Sequence, residues 1–263
     1  MIRTRSTTLL LLASLLAVTG CKPDAAIKTS SNLDSKTSSS AAASAPAPPP
    51  ANAGSIGGVI HFNGKPPARV PIDMSMDPAC TLGAQNLTEQ YVVANGRLAN
   101  VYIYVKAGAP ASSAPTGTAP VVLDQKGCRY TPHVIAVQQG GTVEFHNSDP
   151  TMHNIHATPA NGANSPVDVS QAPMGQPQSQ KFNSPETMLP IRCNNHPWMN
   201  AFINVAPNPF FAVSAADGSF TIHGLPPGHY TLAALHEKLG EQDVEVDVLA
   251  NGTAKTDFTF TAK

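Results

Sequence analysis

Short runs of β-branched and aromatic residues, separated by glycine and proline, follow one another from Gly54 to the end of the chain. The clearest runs are 101–105, 134–137, 142–145, 220–222, 230–232, 244–248 and 258–260. Only residues 235–239 hint at a helical period. Many short strands at close spacing, with turn residues between them, are typical of β-sandwiches. The chain is therefore expected to be all-β.

The first twenty residues have the layout of a secretory signal peptide. Arg3 and Arg5 form a basic region, and an apolar stretch follows over residues 9–18. That stretch is too short to span a bilayer. The small residues before Cys21 resemble a bacterial lipobox, which implies cleavage after residue 20 and a lipid attached to Cys21. An ordinary signal peptide followed by a chance cysteine stays open as the alternative.

The residues after the signal peptide bear on location. Because Lys22 rather than aspartate follows Cys21, nothing argues for retention in the inner membrane. In a cell with two membranes we expect a lipoprotein on the periplasmic side of the outer membrane, attached through its lipid alone; a protein anchored to the membrane outside the cytoplasm stays open as the alternative. Residues 21–53 are rich in serine, alanine and proline and have little to bury, so they are expected to form a disordered tether.

The charge balance argues against a nucleic-acid partner. The chain has 16 basic and 17 acidic residues, and without Arg3 and Arg5 the mature chain keeps 14 basic residues against 17 acidic ones, a net charge of −3. No basic stripe stands out along the sequence. Proteins that bind nucleic acids depend on such stripes for affinity, so we expect no nucleic acid here.

The segment 193–199 reads Cys-Asn-Asn-His-Pro-Trp-Met. A thiolate, an imidazole and a thioether suit copper in both oxidation states, and one short loop can present all three to one ion. The spacing, including the proline after the histidine, resembles that of amicyanin, a member of the cupredoxins. The resemblance implies that Cys193, His196 and Met199 are copper ligands of a type 1 site, with Pro197 and Trp198 next to them.

The fourth ligand is implied by a second segment. Residues 152–156, Met-His-Asn-Ile-His, resemble the family's stretch around its first copper histidine. The resemblance assigns that ligand to His153 and gives Asn154 the role of hydrogen-bonding the ligand loops together. The family has a proline where Met152 stands, and His156 stays open as an alternative ligand after a shift of register. The other histidines are expected to be surface or structural residues: His61, His133, His146, His223, His229 and His236.

Two resemblances divide the chain into domains. Residues 121–207 resemble a small cupredoxin of the plastocyanin and amicyanin group. The flanks resemble a carboxypeptidase-regulatory-like, or transthyretin-like, domain over residues 54–60, 98–105 and 217–232. The resemblances imply a cupredoxin Greek-key β-sandwich inserted between the two parts of a second small β-sandwich, 54–120 and 208–263. One continuous, enlarged cupredoxin sandwich remains the alternative.

The cysteines fit this interpretation. With Cys21 assigned to the lipid, an oxidising compartment favours one disulfide and one odd thiol among the other three. The copper motif gives Cys193 a reason to stay free, so the resemblance implies a disulfide between Cys80 and Cys128 that staples the two parts. A disulfide that includes Cys193 stays open as the alternative.

The implied copper site points to electron transfer. Four protein ligands leave no open position, so such a site can exchange one electron but cannot easily bind a substrate. A multicopper oxidase would need histidines where Arg192 and Asn194 stand, and we expect no enzyme. A redox partner, such as a c-type cytochrome or a periplasmic or membrane oxidoreductase, is expected to dock at the exposed edge of His196. Two alternatives remain: a carbohydrate- or peptide-binding module, and copper sequestration or delivery.

Overall fold

The computed structural model describes residues 51–110, 119–160 and 162–262. The predicted signal peptide, Cys21 and the tether up to residue 50 lie outside the described residues, and the predictions made for them stay predictions. In the described part, strands dominate, and the helical element is a 3₁₀ turn, Pro78–Leu82. The predicted all-β fold is confirmed. No helix of this part is long and apolar enough to cross a membrane.

The strands are numbered in chain order. The first seven are β1 Gly54–Asn63, β2 Val93–Ala94, β3 Arg97–Leu98, β4 Tyr102–Ala107, β5 Val121–Gln125, β6 Tyr130–Thr131 and β7 Val134–Gln138. The next six are β8 Thr142–Asn147, β9 His153–Ala157, β10 Val167–Gln171, β11 Gln178–Lys181, β12 Glu186–Arg192 and β13 Asn200–Ala206. The last six are β14 Phe211–Val213, β15 Ser219–Leu225, β16 Gly228–His236, β17 Gly240–Val248, β18 Thr253–Lys255 and β19 Phe258–Thr261.

Strands from both ends of the described chain form one sandwich, which we call the flanking sandwich. In its first sheet β1 pairs with β15, β18, β19 and β3, and β3 pairs with β2. Its second sheet has the order β14-β4-β16-β17. Because strand side chains alternate between faces, Phe220 and Ile222 of β15 point into the core while Thr221 stays exposed. These alternating residues close one apolar core between the two sheets.

The strands between these parts form a second sandwich, the central sandwich. Its sheets have the orders β10-β9-β12-β13-β7 and β11-β8-β5-β6. Along β8, Val143, Phe145 and Asn147 are buried and the residues between them are partly exposed, which is the period of a half-buried strand. The core has its own set of buried side chains, separate from that of the flanking sandwich. The arrangement is a β-sandwich of a five-stranded and a four-stranded sheet.

The two sandwiches share a small buried cluster. Tyr102 and Tyr104 of β4 stack with ring centroids 4.8 Å apart, and they pack with Ala206 at the end of β13 and Ala233 of β16. The central sandwich therefore rests on one sheet of the flanking sandwich. The regulatory-like character of the flanking sandwich and the proposed domain boundaries stay predictions.

A long connection between β1 and β2 crosses to the central sandwich. We call its residues 70–90 the strap. Backbone hydrogen bonds hold the two sides of its base together: Thr88 N–H to Val70 O at 3.0 Å and Ile72 N–H to Asn86 O at 2.9 Å. The 3₁₀ turn lies at its tip, and Met74 of the strap is buried in the core of the central sandwich. The strap thus belongs to the flanking part in sequence and to the central sandwich in its packing.

Candidate metal centre

Three adjacent strands bring the predicted ligands to one end of the central sandwich. His153 begins β9, Cys193 directly follows β12, and Met199 directly precedes β13. In the sheet β12 lies between β9 and β13, with Arg192 opposite both His156 and Asn200. The ends of these strands therefore meet, and the loop 193–199 turns back over them.

The nitrogen and sulfur donors of three ligands converge. His153 Nδ1 lies 2.9 Å from His196 Nδ1, and Cys193 Sγ lies 3.6 Å from the same nitrogen. These three donor atoms all lie within 4.8 Å of one another. The side chains are sealed from solvent, with exposed fractions of 0% for His153, 3% for Cys193 and 4% for His196. Burial at this level excludes bulk water from the centre.

Met199 is buried at the end of the same loop, with 1% of its surface exposed. Its backbone N–H donates to His196 O at 2.9 Å, and its carbonyl accepts from Cys193 N–H at 3.4 Å. These bonds close the loop into a tight turn. They place Met199 in the same core cluster as Cys193.

The surroundings of Cys193 lower the pKa of its thiol and so favour the thiolate. Burial by itself raises its pKa, but hydrogen bonds from His153, from the backbone of Asn154 and Asn195, and from His196 outweigh that effect and lower the pKa to about 7. Cys193 is the free cysteine of the described chain, since Cys80 and Cys128 form a disulfide. A thiolate is the form of cysteine that binds metals.

A carboxylate lies within hydrogen-bond distance of the His153 ring nitrogen that faces away from the donor cluster, Nε2. Asp149 Oδ2 lies 2.8 Å from His153 Nε2. The same carboxylate accepts the backbone N–H groups of Gly127 at 2.6 Å and Cys128 at 2.7 Å. Both residues have left-handed backbone angles, φ 68° and φ 54°, which turn two successive N–H groups toward one side.

Asp149 stays ionised in this position. Burial opposes the charge, but the hydrogen bonds from His153, Cys128 and Gly127 lower its pKa below the ordinary value. The ionised carboxylate in turn raises the pKa of His153, together with Cys193 and against the effect of burial. Asp149 therefore keeps a proton on Nε2 of His153 and leaves Nδ1 to face the centre.

A second carboxylate lies within hydrogen-bond distance of the His196 ring nitrogen that faces away from the donor cluster, Nε2. Asp77 Oδ2, at the tip of the strap, lies 3.0 Å from His196 Nε2. The hydrogen bond from Thr151 lowers the pKa of Asp77 against the opposing effect of burial, and the bonds from Ala79 N–H and His196 lower it further. His196 is buried beneath this carboxylate, so the expectation of an exposed His196 edge was wrong. Neither carboxylate was predicted from the sequence.

The donor set fits a metal cation. Once each ring gives up the Nδ1 proton that it can donate to the Cys193 thiolate, and keeps its Nε2 proton on a carboxylate, the two Nδ1 atoms become acceptors that face each other at 2.9 Å. Two lone pairs in that position repel each other unless a proton or a metal ion lies between them. With the Cys193 thiolate beside them and a thioether in the same loop, they make a set of soft and imidazole ligands suited to copper.

The other predicted residues surround these donors. Asn154 Nδ2 donates to Asp168 Oδ1 at 2.9 Å, and its Oδ1 accepts from Asn194 N–H at 3.3 Å. Asn154 thus links the β9 and β12 ends of the site. His156, the alternative ligand, lies outside the donor cluster with its Nδ1 2.8 Å from Asn194 Oδ1.

Trp198 and Pro197 cover the outer side of the loop. The indole of Trp198 packs on His196 with ring centroids 5.0 Å apart, and its N–H donates to Cys128 O at 3.1 Å. Trp198 is partly exposed and lines a cavity of about 210 Å³ together with Arg129, while Pro197 is exposed. The remaining histidines lie outside the donor clusters found among the described residues: His61, His133, His146, His223, His229 and His236.

Comparisons with known proteins give neighbours of the fold. No family model and no curated protein matches the chain. Solved structures of cupredoxins match part of it. A copper-containing nitrite reductase from Thermus scotoductus shares 23% identity over 38% of this chain and 27% of its own, with a TM-score of 0.31. An amicyanin mutant in its Cu(I) form shares 20% identity over 39% of this chain and 97% of its own, with a TM-score of 0.30.

A purple cupredoxin from Nitrosopumilus maritimus shares 20% identity over 32% of this chain and 98% of its own, with a TM-score of 0.27. At these identities and scores the similarity does not decide what this chain binds. The chemistry of the donor atoms has to do so.

Proposed function

We propose that the chain is a lipid-anchored copper protein on the periplasmic side of the outer membrane, and that it carries single electrons. One type 1 copper ion would be held by His153, Cys193, His196 and Met199. The observation that carries this proposal is the buried group of two imidazole nitrogens and one acidic thiol within 4.8 Å of one another.

The surrounding residues support electron transfer rather than catalysis. Bound copper would supply a change of one electron between two oxidation states. Asp149 and Asp77 hold the imidazoles and Asn154 links the loops, and these contacts would limit the rearrangement of the ligands between the two states. Burial of the three donor side chains excludes water and leaves no room for a substrate, so we propose no enzymatic activity.

A redox partner would make contact at Trp198 rather than at His196. The strap covers His196, whereas Trp198 packs on that ring and reaches the surface beside the 210 Å³ cavity. The indole therefore offers an aromatic connection from the centre to the surface. The partner would be a c-type cytochrome or a periplasmic or membrane oxidoreductase.

A visible spectrum of the purified full chain after addition of copper(II) tests the proposal. We expect an intense thiolate-to-copper charge-transfer band with one equivalent of copper, bleached by ascorbate and restored by an oxidant. Cys193→Ser should lack the band. The matched control is His156→Gln, which removes a nearby imidazole outside the donor cluster and should keep the band.

A colourless wild-type protein would contradict the copper site. A coloured protein that gives its copper to chelators or acceptor proteins faster than it exchanges electrons would favour copper delivery instead. Anchoring is tested separately by cell fractionation, since Cys21→Ser should release the protein from the membrane fraction if the lipid alone attaches it.

A further inference from the structure

The strap is fastened to the central sandwich beside the metal centre. Cys80 of the strap forms a disulfide with Cys128, whose backbone N–H holds Asp149. Asn86 Nδ2 donates to Gly127 O at 2.6 Å from the other side of the strap. The tip of the strap is therefore held against the segment that positions His153.

Hydrogen bonds to both carboxylate oxygens fix the orientation of the Asp77 side chain. Its Oδ1 accepts Ala79 N–H at 2.9 Å, which caps the 3₁₀ turn. Its Oδ2 accepts the Thr151 hydroxyl at 2.7 Å and lies 3.0 Å from His196 Nε2. The carboxylate has no freedom to turn away without losing the cap, so it holds the imidazole in one orientation.

The contact has a direct chemical consequence for His196. A carboxylate that accepts the Nε2–H keeps the proton on that nitrogen and directs Nδ1 toward the centre. The negative charge of the carboxylate behind the ring favours the metal state of higher charge. Asp149 has the same relation to His153, so carboxylates hold both imidazoles of the centre from outside.

We propose that Asp77 is a positioning residue of the metal centre, supplied by the flanking part of the chain, and that the strap closes the His196 face to solvent and to partners. The role of Asp77 in copper chemistry rests on the proposed function. The orientation and closure of His196 do not, because they rest on contacts within the chain itself.

The first test uses the metal-free full chain. In the wild type, nuclear magnetic resonance should show His196 with a proton on Nε2 that exchanges slowly with water. In Asp77→Asn that proton should exchange fast or move to Nδ1. Asp73→Asn is the matched control, since Asp73 makes the same kind of turn contact, to Ser75 N–H at 2.9 Å, but is exposed and does not contact a histidine.

The second test uses the copper-loaded full chain. Asp77→Asn should bind copper(II) about 10- to 100-fold more weakly, with a smaller loss for copper(I). The reduction potential should therefore rise, by about 59 mV for each tenfold difference between the two losses. Asp77→Glu keeps the charge and should recover part of the wild-type potential, and Asp73→Asn should match the wild type.

Equal behaviour of Asp77→Asn and Asp73→Asn in both tests would overturn the proposal. If the wild type binds no copper, the proposed function fails, but the metal-free measurement still decides whether Asp77 holds and covers His196. The thermal unfolding of both variants is measured beside each test, so that a general loss of folding is recognised.

Discussion

The two histidines of the centre are held from outside by aspartates that come from different parts of the chain. Asp149 lies four residues before His153 and is fixed by the backbone N–H groups of Gly127 and Cys128. Asp77 lies 119 residues before His196 and reaches it from the strap. Each contact leaves Nδ1 free to face Cys193. Residues outside the proposed ligand set therefore orient the two proposed histidine ligands.

Asp149→Asn tests the first of these contacts. The amide cannot accept from His153 and from two backbone N–H groups as a carboxylate does, so we expect copper affinity to fall about 10- to 100-fold. Asp247→Asn is the control, because Asp247 makes the same 2.8 Å contact to a histidine, the exposed His229. Competition with a copper chelator measures both variants, and equal affinities would show that Asp149 does not support the ligand.

His236 makes stability depend on pH at a site away from the metal. Its ring packs between Tyr91 and Phe260, with centroids 5.8 Å and 6.2 Å away. Burial lowers its pKa to about 4, helped by His133 and Lys238 and opposed by Glu237. In the unfolded chain the His236 ring binds a proton at about pH 6.5. In the folded chain the ring binds that proton only near pH 4.

The contribution of neutral His236 to the free energy of unfolding is therefore fully present above pH 6.5. As the pH falls from 6.5 to about 4, the free energy of unfolding drops by about 3 kcal/mol on account of this residue. Urea unfolding at both ends of this range should show that loss in the wild type. In His236→Phe, the part of this loss that comes from protonation of His236 should be absent. An equal fall in both proteins would mean that His236 already carries its proton in the folded state.

At the scale of elements, the sequence predicts those features that depend on residues close together along the chain. Alternating apolar residues and turn residues predict the strands, and the spacing within 193–199 predicts which side chains share a loop. The strap could not be predicted in the same way. The contact of Asp77 with His196 depends on where the strap crosses in three dimensions, and no pattern near Asp77 indicates it. For this reason His196 was expected at the surface and lies buried.

The disulfide should fix the strap as a cross-link. Cys80 and Cys128 lie 48 residues apart, and for a loop of this length chain entropy gives a stabilisation of about 4 kcal/mol. The variant with both cysteines changed to alanine should lose an amount of this order in urea unfolding. Cys193→Ala in the metal-free protein removes a buried sulfur without a cross-link, and a loss of equal size there would contradict the entropic account.

At the scale of the whole molecule, the flanking sandwich does more than hold the central one. It supplies the strap, and it contributes Glu237, which follows β16 and pairs with His133 before β7 at 2.7 Å. Both side chains of this pair are buried, with 3% and 5% exposed. The flanking sandwich therefore contacts the central sandwich both through the strap and through this buried pair.

Breaking this pair should weaken the whole fold. Glu237→Ala leaves His133 buried without its partner, and we expect a loss of about 3–5 kcal/mol in the free energy of unfolding. The double variant with His133→Ala should lose less than the sum of the single losses, since the pair is removed together. Additive losses in this cycle would show that the two residues do not interact.

X-ray absorption at the copper edge tests the central claim most directly. The full chain loaded with one equivalent of copper(II) should show one short sulfur ligand and two imidazole rings, and the short sulfur should disappear in Cys193→Ser. Met199→Leu should keep that short sulfur, because the thiolate bond does not depend on the axial thioether. A shell of oxygen and nitrogen alone in the wild type would contradict the copper centre.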